Sequence, residues 1–437
     1  MVVLLGLMAA LYWSNRHPKS EQTAEASAEA PAPKILTLKE DDISKIDLKR
    51  KDAGEIALAK NNGKWQIDAP QQLSADQTTV STMLSSLSSL ASERLVEEKA
   101  SDLSPYGLSA PPFEADITEK DNKTQKLLLG DNTPTGNAVY AKLEGDPRVF
   151  IVSTYEKNNI DKGLNDLRDK RLITAAQDKI SKVELITKKQ DIEFGRNKDE
   201  WQIIKPKPLR ADGTQVEDLV RNLTDAKMEL GPTNDPKKTV AAFASATPVA
   251  TAKVTDESGT QELQVRKNKD DYYAKSSVVN GVYKVPSTVG TGLDKTLDDF
   301  RSKKLFDFGF SDPSKIEIDD GSKKYFMTHG GEDWWNGSSQ KLDLISAQEV
   351  VDKVRDLSAT KFVDSGFSQP SIEMTITSSD NKQVEKLLLA KSGDNYIAKR
   401  DGEPSLYEVS ASMVSELEKA VENLKPAAPS NPAKLPK

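Results

Sequence analysis

Ile43-Ser44-Lys45-Ile46-Asp47-Leu48 is written into this chain three times. It returns as Ile180-Ser181-Lys182-Val183-Glu184-Leu185 and as Ser314-Lys315-Ile316-Glu317-Ile318. A tryptophan follows each copy, at Trp65, Trp201 and Trp335. Fifteen residues past each tryptophan an apolar triplet at helical spacing begins: Val80/Leu84/Leu87, Val216/Val220/Leu223 and Val350/Val354/Leu357. Working outward from these markers, the chain divides into repeats at 35–173, 174–306 and 307–425. The positions that recur are apolar ones and turn residues, which build a core; no catalytic residue type recurs with them.

Each repeat has two halves. In the first, Ile46-Asp47-Leu48, Ile56-Ala57-Leu58 and Trp65-Gln66-Ile67 alternate as half-buried strands. Asn61-Asn62-Gly63 joins the last two as a hairpin, because Asn and Gly tolerate positive φ. A helix then starts at a capping residue, Asp76, Asp212 or Ser346, the last with Glu349 as a capping box. The second half carries strands at Leu127–Leu129, Leu263–Val265 and Leu387–Leu389, then Tyr140-Ala141-Lys142, Tyr273-Ala274-Lys275 and Ile397-Ala398-Lys399. Val152, Val285 or Val409 ends the next strand. One helix closes each repeat, at about 154–168, 288–301 and 411–424. The expected fold is α+β: three tandem antiparallel meanders, each covered by helices, in an elongated arrangement.

Composition bounds the function. The 437 residues carry 30% charged and 36% hydrophobic side chains and a net charge of −7. With a sequence pI near 5.3 and no block of Lys or Arg, no nucleic-acid partner is expected. There is no cysteine, which excludes disulfides, Cys-ligated zinc and thiol nucleophiles.

Met1 to Trp13 is uncharged and mostly apolar. A bilayer span takes roughly 20 such residues, so residues 1–19 read as a membrane anchor or signal segment, possibly truncated, with Tyr12 and Trp13 at the interface. Residues 20–34, rich in Glu, Ala, Pro and Ser, read as a disordered linker, and 426–437 as a disordered tail.

The residues so far quoted, with Gly63-Lys64-Trp65-Gln66-Ile67, Pro70 and Leu127-Leu128-Leu129-Gly130-Asp131-Asn132-Thr133-Pro134, resemble a bacterial family catalogued as domain of unknown function 4340. The resemblance covers most of 35–425. It implies a single-pass inner-membrane protein with an extracytoplasmic (periplasmic) bulk, found beside ABC-type transporter components like those of gliding-motility systems. It supplies no catalytic residues.

The two histidines are His17, in the anchor flank, and His329, beside the Gly330-Gly331 turn. A Ser-His-Asp triad has only His329 to use and no G-x-S-x-G elbow. Neither a P-loop nor G-x-G-x-x-G follows a strand. Gly130 to Asn137 reads as a long hairpin loop, and Asp270-Asp271 and Asp319-Asp320 as turn residues rather than acid/base pairs or calcium ligands. No metal or cofactor is expected.

One position breaks the repeat. Counted from the helix, Trp335 takes the place of Trp65 and Trp201, so Trp334 takes that of Lys64 and Glu200. Strand alternation then puts Trp335 in the core and Trp334 on the outer face. There Trp334 is a candidate contact for a partner, a glycan or a neighbouring domain; packing against the second repeat is the alternative. The expected function is a non-enzymatic, membrane-tethered accessory or binding module of a transport or cell-envelope complex. The alternatives are a stand-alone envelope-glycan or surface-binding protein and, ranked below it, a carboxylate-based hydrolase.

Overall fold

A computed structural model of the chain describes residues 33–198, 200–231 and 235–428. The apolar segment 1–19, the linker up to residue 32 and the tail from 429 lie outside the described residues. Each repeat forms one antiparallel sheet of eight or nine strands. The α+β reading of tandem repeats is therefore what the chain adopts.

In the first repeat the strand Ile43–Arg50 is the seam. On one side it pairs with Gly54–Asn61, followed outward by Lys64–Ala69 and Leu73–Ser74; on the other it pairs with Phe113–Glu119, followed by Thr124–Asn132, Ala138–Leu143, Val149–Ser153 and Arg94–Glu97. Ile46 thus faces both Leu58 and Ile117. The same seam recurs as Val183 opposite Phe194 and Val254, and as Ile316 opposite Met327 and Ile376.

Alternation gives each sheet one dry face. Ile46, Leu48, Leu58 and Ile67 are fully buried beneath the helices. Lys45, Asp47 and Lys49 point to the other face, where Lys45 pairs with Asp47 at 2.7 Å and Lys49 with Asp116 at 3.0 Å. The second repeat repeats this with Lys182–Glu184 at 2.8 Å and Lys205–Glu193 at 2.6 Å, the third with Lys315–Glu317 at 2.9 Å. The Lys205 hydrogen bond holds the Glu193 carboxyl below the usual range, and Lys182 does the same for Glu184. Pairs this open to water add little to stability. Burial on the opposite face carries the fold.

The covering helices are Gln77–Ser88, Gly213–Thr224 and Leu344–Asp356. Asp76 and Asp212 cap the first two through the amides of Thr79 and Gln215. The third is capped by Asp343, whose carboxylate accepts the Ser346 amide at 3.0 Å. Ser346, expected as the cap, is instead inside the first turn and buried. An aspartate three residues earlier offers the stronger, charged acceptor.

That shift also corrects the tryptophans. The hairpin pairs Asn61 with Lys64 and Asn197 with Glu200, so Trp65 and Trp201 are the second residues after their turns. In the third repeat Gly330 pairs with Asp333, and the second residue after the turn is Trp334. Trp334 is 1% exposed and Trp335 is 37% exposed, the reverse of the sequence expectation. The register is set by the turn, and the stretch between tryptophan and helix cap is two residues shorter in the third repeat. Trp65 and Trp201 are buried as expected, at 5% and 4%. Each is tied to its helix by a polar contact: the Trp65 amide donates to Gln77 Oε1, and Trp201 Nε1 to Glu217 Oε1.

The second repeat adds a helix that the repeat pattern did not announce, Pro236–Ser245. Arg266 stacks on its Phe243 at 4.6 Å, and Asn268 donates to the Ala242 carbonyl.

The described residues form two compact units, one ending at Lys170 and one beginning at Arg171. The second holds repeats two and three, joined by a short extended connector. Its Ser302 amide donates to the Arg210 carbonyl and the Asp212 amide to the Phe300 carbonyl. Three residues on, Leu305 donates to the Leu357 carbonyl and Ala359 to that of Lys303. Around this connector Glu403 forms ion pairs with Arg210 at 2.9 Å and Arg400 at 3.3 Å and accepts a hydrogen bond from the Tyr407 hydroxyl at 2.7 Å. Burial, then Glu403, pushes the Tyr407 hydroxyl above its ordinary pKa. Arg301 lies 3.5 Å over the Phe362 ring and donates to Ser405.

Two outcomes follow for measurement. Trp65→Ala, Trp201→Ala and Trp334→Ala should each destabilise their own repeat by ~3–5 kcal/mol in urea unfolding. Trp335→Lys should change stability by less than about 1 kcal/mol; equal losses at Trp334 and Trp335 would refute the register. Arg301→Ala removes a stacked cation worth about 0.5–2 kcal/mol. It should split the joint unfolding of repeats two and three into separable transitions by calorimetry, and a single unshifted transition would show the junction carries no coupling.

Candidate functional site: an open groove in the third repeat

The last strand of each repeat is followed by the same run of chain. Asp161-Lys162-Gly163-Leu164-Asn165-Asp166-Leu167-Arg168 aligns without a gap to Asp294-Lys295-Thr296-Leu297-Asp298-Asp299-Phe300-Arg301 and to Glu418-Lys419-Ala420-Val421-Glu422-Asn423-Leu424-Lys425. The sequence reading gave each repeat one closing helix. The structure breaks that helix in the first two repeats. Helix Thr154–Ile160 ends and a separate turn Leu164–Leu167 follows; Ser287–Leu293 ends and Leu297–Phe300 follows. In the third repeat one helix runs on from Ala411 to Glu422.

The cause is local. Gly163 and Thr296 leave the helix, and Asp166 and Asp299 recapture their amides at 2.9 and 2.7 Å, starting a new turn. Those hydrogen bonds hold the Asp299 carboxyl below its usual range. Ala420 stands where Gly163 and Thr296 stand, Glu418 replaces an Asp and Asn423 replaces the recapturing Asp. Ala and Glu favour the continuing helix.

Two clamps disappear with the break. In the first repeat Arg50 Nε reaches Asp161 at 2.6 Å. In the second, Gln190 donates to the Lys295 carbonyl at 2.8 Å and accepts from the Leu297 amide at 3.1 Å. Strand register places the third-repeat counterparts: Tyr325 faces Ile318 as Ile192 faces Leu185 and Ile56 faces Leu48. Asp320 therefore occupies the place of Arg50, and Lys323 that of Gln190. Asp320 and Glu418 are both acids, so the Arg50–Asp161 ion pair has no counterpart there, and a lysine side chain accepts no hydrogen bond.

Between the hairpin and the closing helix the third repeat has a groove of about 700 Å³. Leu342, Val421, Tyr325 and Leu424 give it an apolar floor, and Lys323 and Lys324 stand on its rim. A smaller recess of about 290 Å³ shares Tyr325 and Val421 and reaches Asp320 and Glu418. Lys324 pairs with Asp319 at 3.0 Å. Across the sheet, exposed Trp335 lies beside Thr328, and Phe326 carries Lys315 at 4.7 Å from its ring centre.

The other sequence candidates settle as follows. Trp334 is core, its ring 4.8 Å from that of His329, and carries no outer contact. The exposed indole is that of Trp335. His17 lies outside the described residues. Gly130 to Asn137 is a hairpin, with Thr133 donating its amide to the Ala138 carbonyl. Asp271 closes a two-residue turn and pairs with Lys284 at 2.8 Å; Asp320 accepts the amides of Ser322 and Lys323. Among the described residues no group of three His, Asp or Glu is placed to share a metal ion. The groove escaped the sequence reading, although the ungapped octets held its signal.

The family comparison bears on these repeats directly. The profile of the family described as domain of unknown function (DUF4340) matches residues 65–208 and 201–372. The chain belongs to the DUF4340 family. Each match opens on a tryptophan strand and runs past the tryptophan strand of the next repeat, so the family's sequence unit straddles two structural repeats. No curated protein matches the chain significantly. Among solved structures, the DNA polymerase sliding clamp of Pseudomonas aeruginosa aligns over 86% of this chain and 93% of its own at 8% identity, with a TM-score of 0.17. A likeness that weak carries no argument on fold or function.

The helix account has a direct check. Ala420→Gly should cost about 1 kcal/mol in the third repeat, read by urea unfolding, and Ala420→Ser less. No loss from glycine would mean the straight helix is not set by residue 420.

Proposed function

We propose that this DUF4340 protein is a non-enzymatic, membrane-tethered, extracytoplasmic module that serves as an accessory of an ABC-type transport or cell-envelope complex. The observation that carries the reading is the order of segments. An uncharged apolar run, Met1 to Trp13, passes through a Pro/Ala/Glu-rich linker into tandem modules whose recurring residues are structural. In this reading the apolar run holds the chain at the inner membrane, the linker sets reach, and the modules present a binding surface on the periplasmic side. Among the described residues no helix is long and apolar enough to cross a membrane. In this reading the third repeat, which carries the groove beside Tyr325 and Leu342, is the recognition module.

A second reading, stand-alone binding to an envelope glycan, is favoured by one feature: the exposed Trp335 opposite Thr328 on a sheet face. An aromatic face stacks on the apolar face of a sugar ring.

Cell fractionation tests the first reading. The full chain should sediment with membranes and resist salt extraction, and the chain lacking residues 1–34 should be released. A full-length chain recovered in the cytosol would overturn the tether and the accessory role with it.

A further inference from the structure

The second repeat departs from its sisters at one stretch. After the covering helix, repeats one and three lay down an edge strand, Arg94–Glu97 or Lys361–Val363. Repeat two instead carries the helix Pro236–Ser245, and its next strand, Thr247–Asp256, starts early. Ala250 pairs with Val265 as Phe113 pairs with Leu129 and Ile372 with Leu389. Phe113 and Ile372 open their strands, so residues 247–249 are an extension that the sisters lack. A β-bulge between Pro248 and Ala250 bends this extension and brings Thr247 opposite Lys267. Between the extension, the Lys188-Lys189 turn of the seam hairpin and the turn at Lys269 lies a pocket of about 400 Å³. Four lysines line it, Lys188, Lys189, Lys267 and Lys269, against one acid, Asp294.

We propose that this pocket binds a phosphate ester carrying two or more negative charges. Among the described residues none of the four ammonium groups is paired with a carboxylate. Lys267 instead rests 5.2 Å from the centre of the Tyr272 ring. The lysines on the outer face of the same sheet are paired: Lys182 and Lys253 with Glu184, Lys205 with Glu193. Four unpaired like charges around one pocket repel one another, in a chain whose net charge is −7. A bound polyanion relieves that repulsion. Strand register shows that the charge is particular to this repeat. Lys188 and Lys189 stand where the third repeat has Gly321 and Ser322. The turn Lys269-Asp270 matches Gly393-Asp394, closed by Asn268 with Asp271 and by Ser392 with Asn395. Lys269 has φ +55° and Gly393 φ +59°, a left-handed backbone that favours glycine. Of the four, only Lys267 keeps a lysine counterpart in the third repeat, Lys391, and in the first repeat that place is Asp131. An ammonium is a compact point charge with three donors, suited to phosphate oxygens. The site lies apart from the third-repeat groove and does not rest on the tethered-module reading.

The test is isothermal titration of inorganic pyrophosphate into the full-length chain held in non-ionic detergent micelles. Pyrophosphate should bind saturably, at one site per chain. Phosphatidic acid added to the micelles should compete if the natural ligand is a lipid headgroup, and should leave pyrophosphate binding unchanged if it is a soluble phosphate ester; phosphatidylcholine should not compete in either case. Joint Lys188→Glu and Lys189→Glu substitution should weaken pyrophosphate binding by about tenfold or more. Lys269→Gly should weaken it about threefold with no fall in the urea midpoint, because glycine suits that backbone. Lys391→Glu, at the matching place in the third repeat, should change nothing. The proposal is overturned if pyrophosphate does not bind saturably, if neither the double variant nor Lys269→Gly weakens it, if Lys391→Glu weakens it as much as the double variant, or if phosphatidylcholine competes as well as phosphatidic acid. Loss of this site with membrane fractionation intact leaves the tethered-module reading standing.

Discussion

Every repeat depends on one antiparallel seam. Ile43–Arg50, Lys182–Thr187 and Lys315–Asp319 each pair on both sides, once with a hairpin neighbour and once with a strand that returns much later in the chain, as Ile46 with Ile117 and Ile316 with Ile376. A strand in that position has no free edge, so both meanders inherit their register from it. A slip by one residue would turn Ile46, Leu48, Leu58 and Ile117 to water and Lys45, Asp47 and Asp116 to the core. The cost of burying unpaired charge forbids this. The Ile-x-Leu alternation with Lys and Asp between is thus a register lock, and it appears three times because three sheets need it.

The dry face then requires a cover, and the cover explains the rest of the core. Asp76, Asp212 and Asp343 start the first helix at the same place on each sheet, and the tryptophan of the neighbouring hairpin fills the space beneath. The closing helix is less constrained, because its end can be reached by a broken or a straight path. The difference rests on a few side chains, notably Gly163, Thr296 and Ala420, each worth about 1 kcal/mol or less in helix propensity. Small local preferences therefore decide whether the closing helix is broken or straight.

This division also explains what could be read in advance. The seams, hairpins and the Asp76 and Asp212 caps were legible because they are written in neighbouring residues with period two or a fixed cap spacing. Trp334 and Trp335 were assigned to each other's places because two rulers disagree there. Counting from the helix points to Trp335, counting from the turn to Trp334, and the turn governs strand register. The groove was hidden for a different reason: all three octets look like amphipathic helix, and only the Asp at 166 or 299 capturing an amide three residues back distinguishes a new turn. The inter-repeat contacts of Arg210, Arg301 and Glu403 join residues too far apart in sequence for local patterning to reveal.

The connector has a consequence at the level of the gene. Lys34-Ile35-Leu36, Arg171-Leu172-Ile173 and Lys304-Leu305-Phe306 enter their repeats by the same backbone bridge, to Ala91, Lys227 and Ser358. Residues 168, 301 and 426 leave by a matching bridge to Ala75, Ala211 and Leu342. Entrance and exit are therefore interchangeable joints. A duplication or deletion of one whole period, with breakpoints at any pair of equivalent codons, leaves every joint hydrogen-bonded. The phase in which a sequence family happens to be cut, here at the tryptophan strand, is one arbitrary frame on a cyclic text.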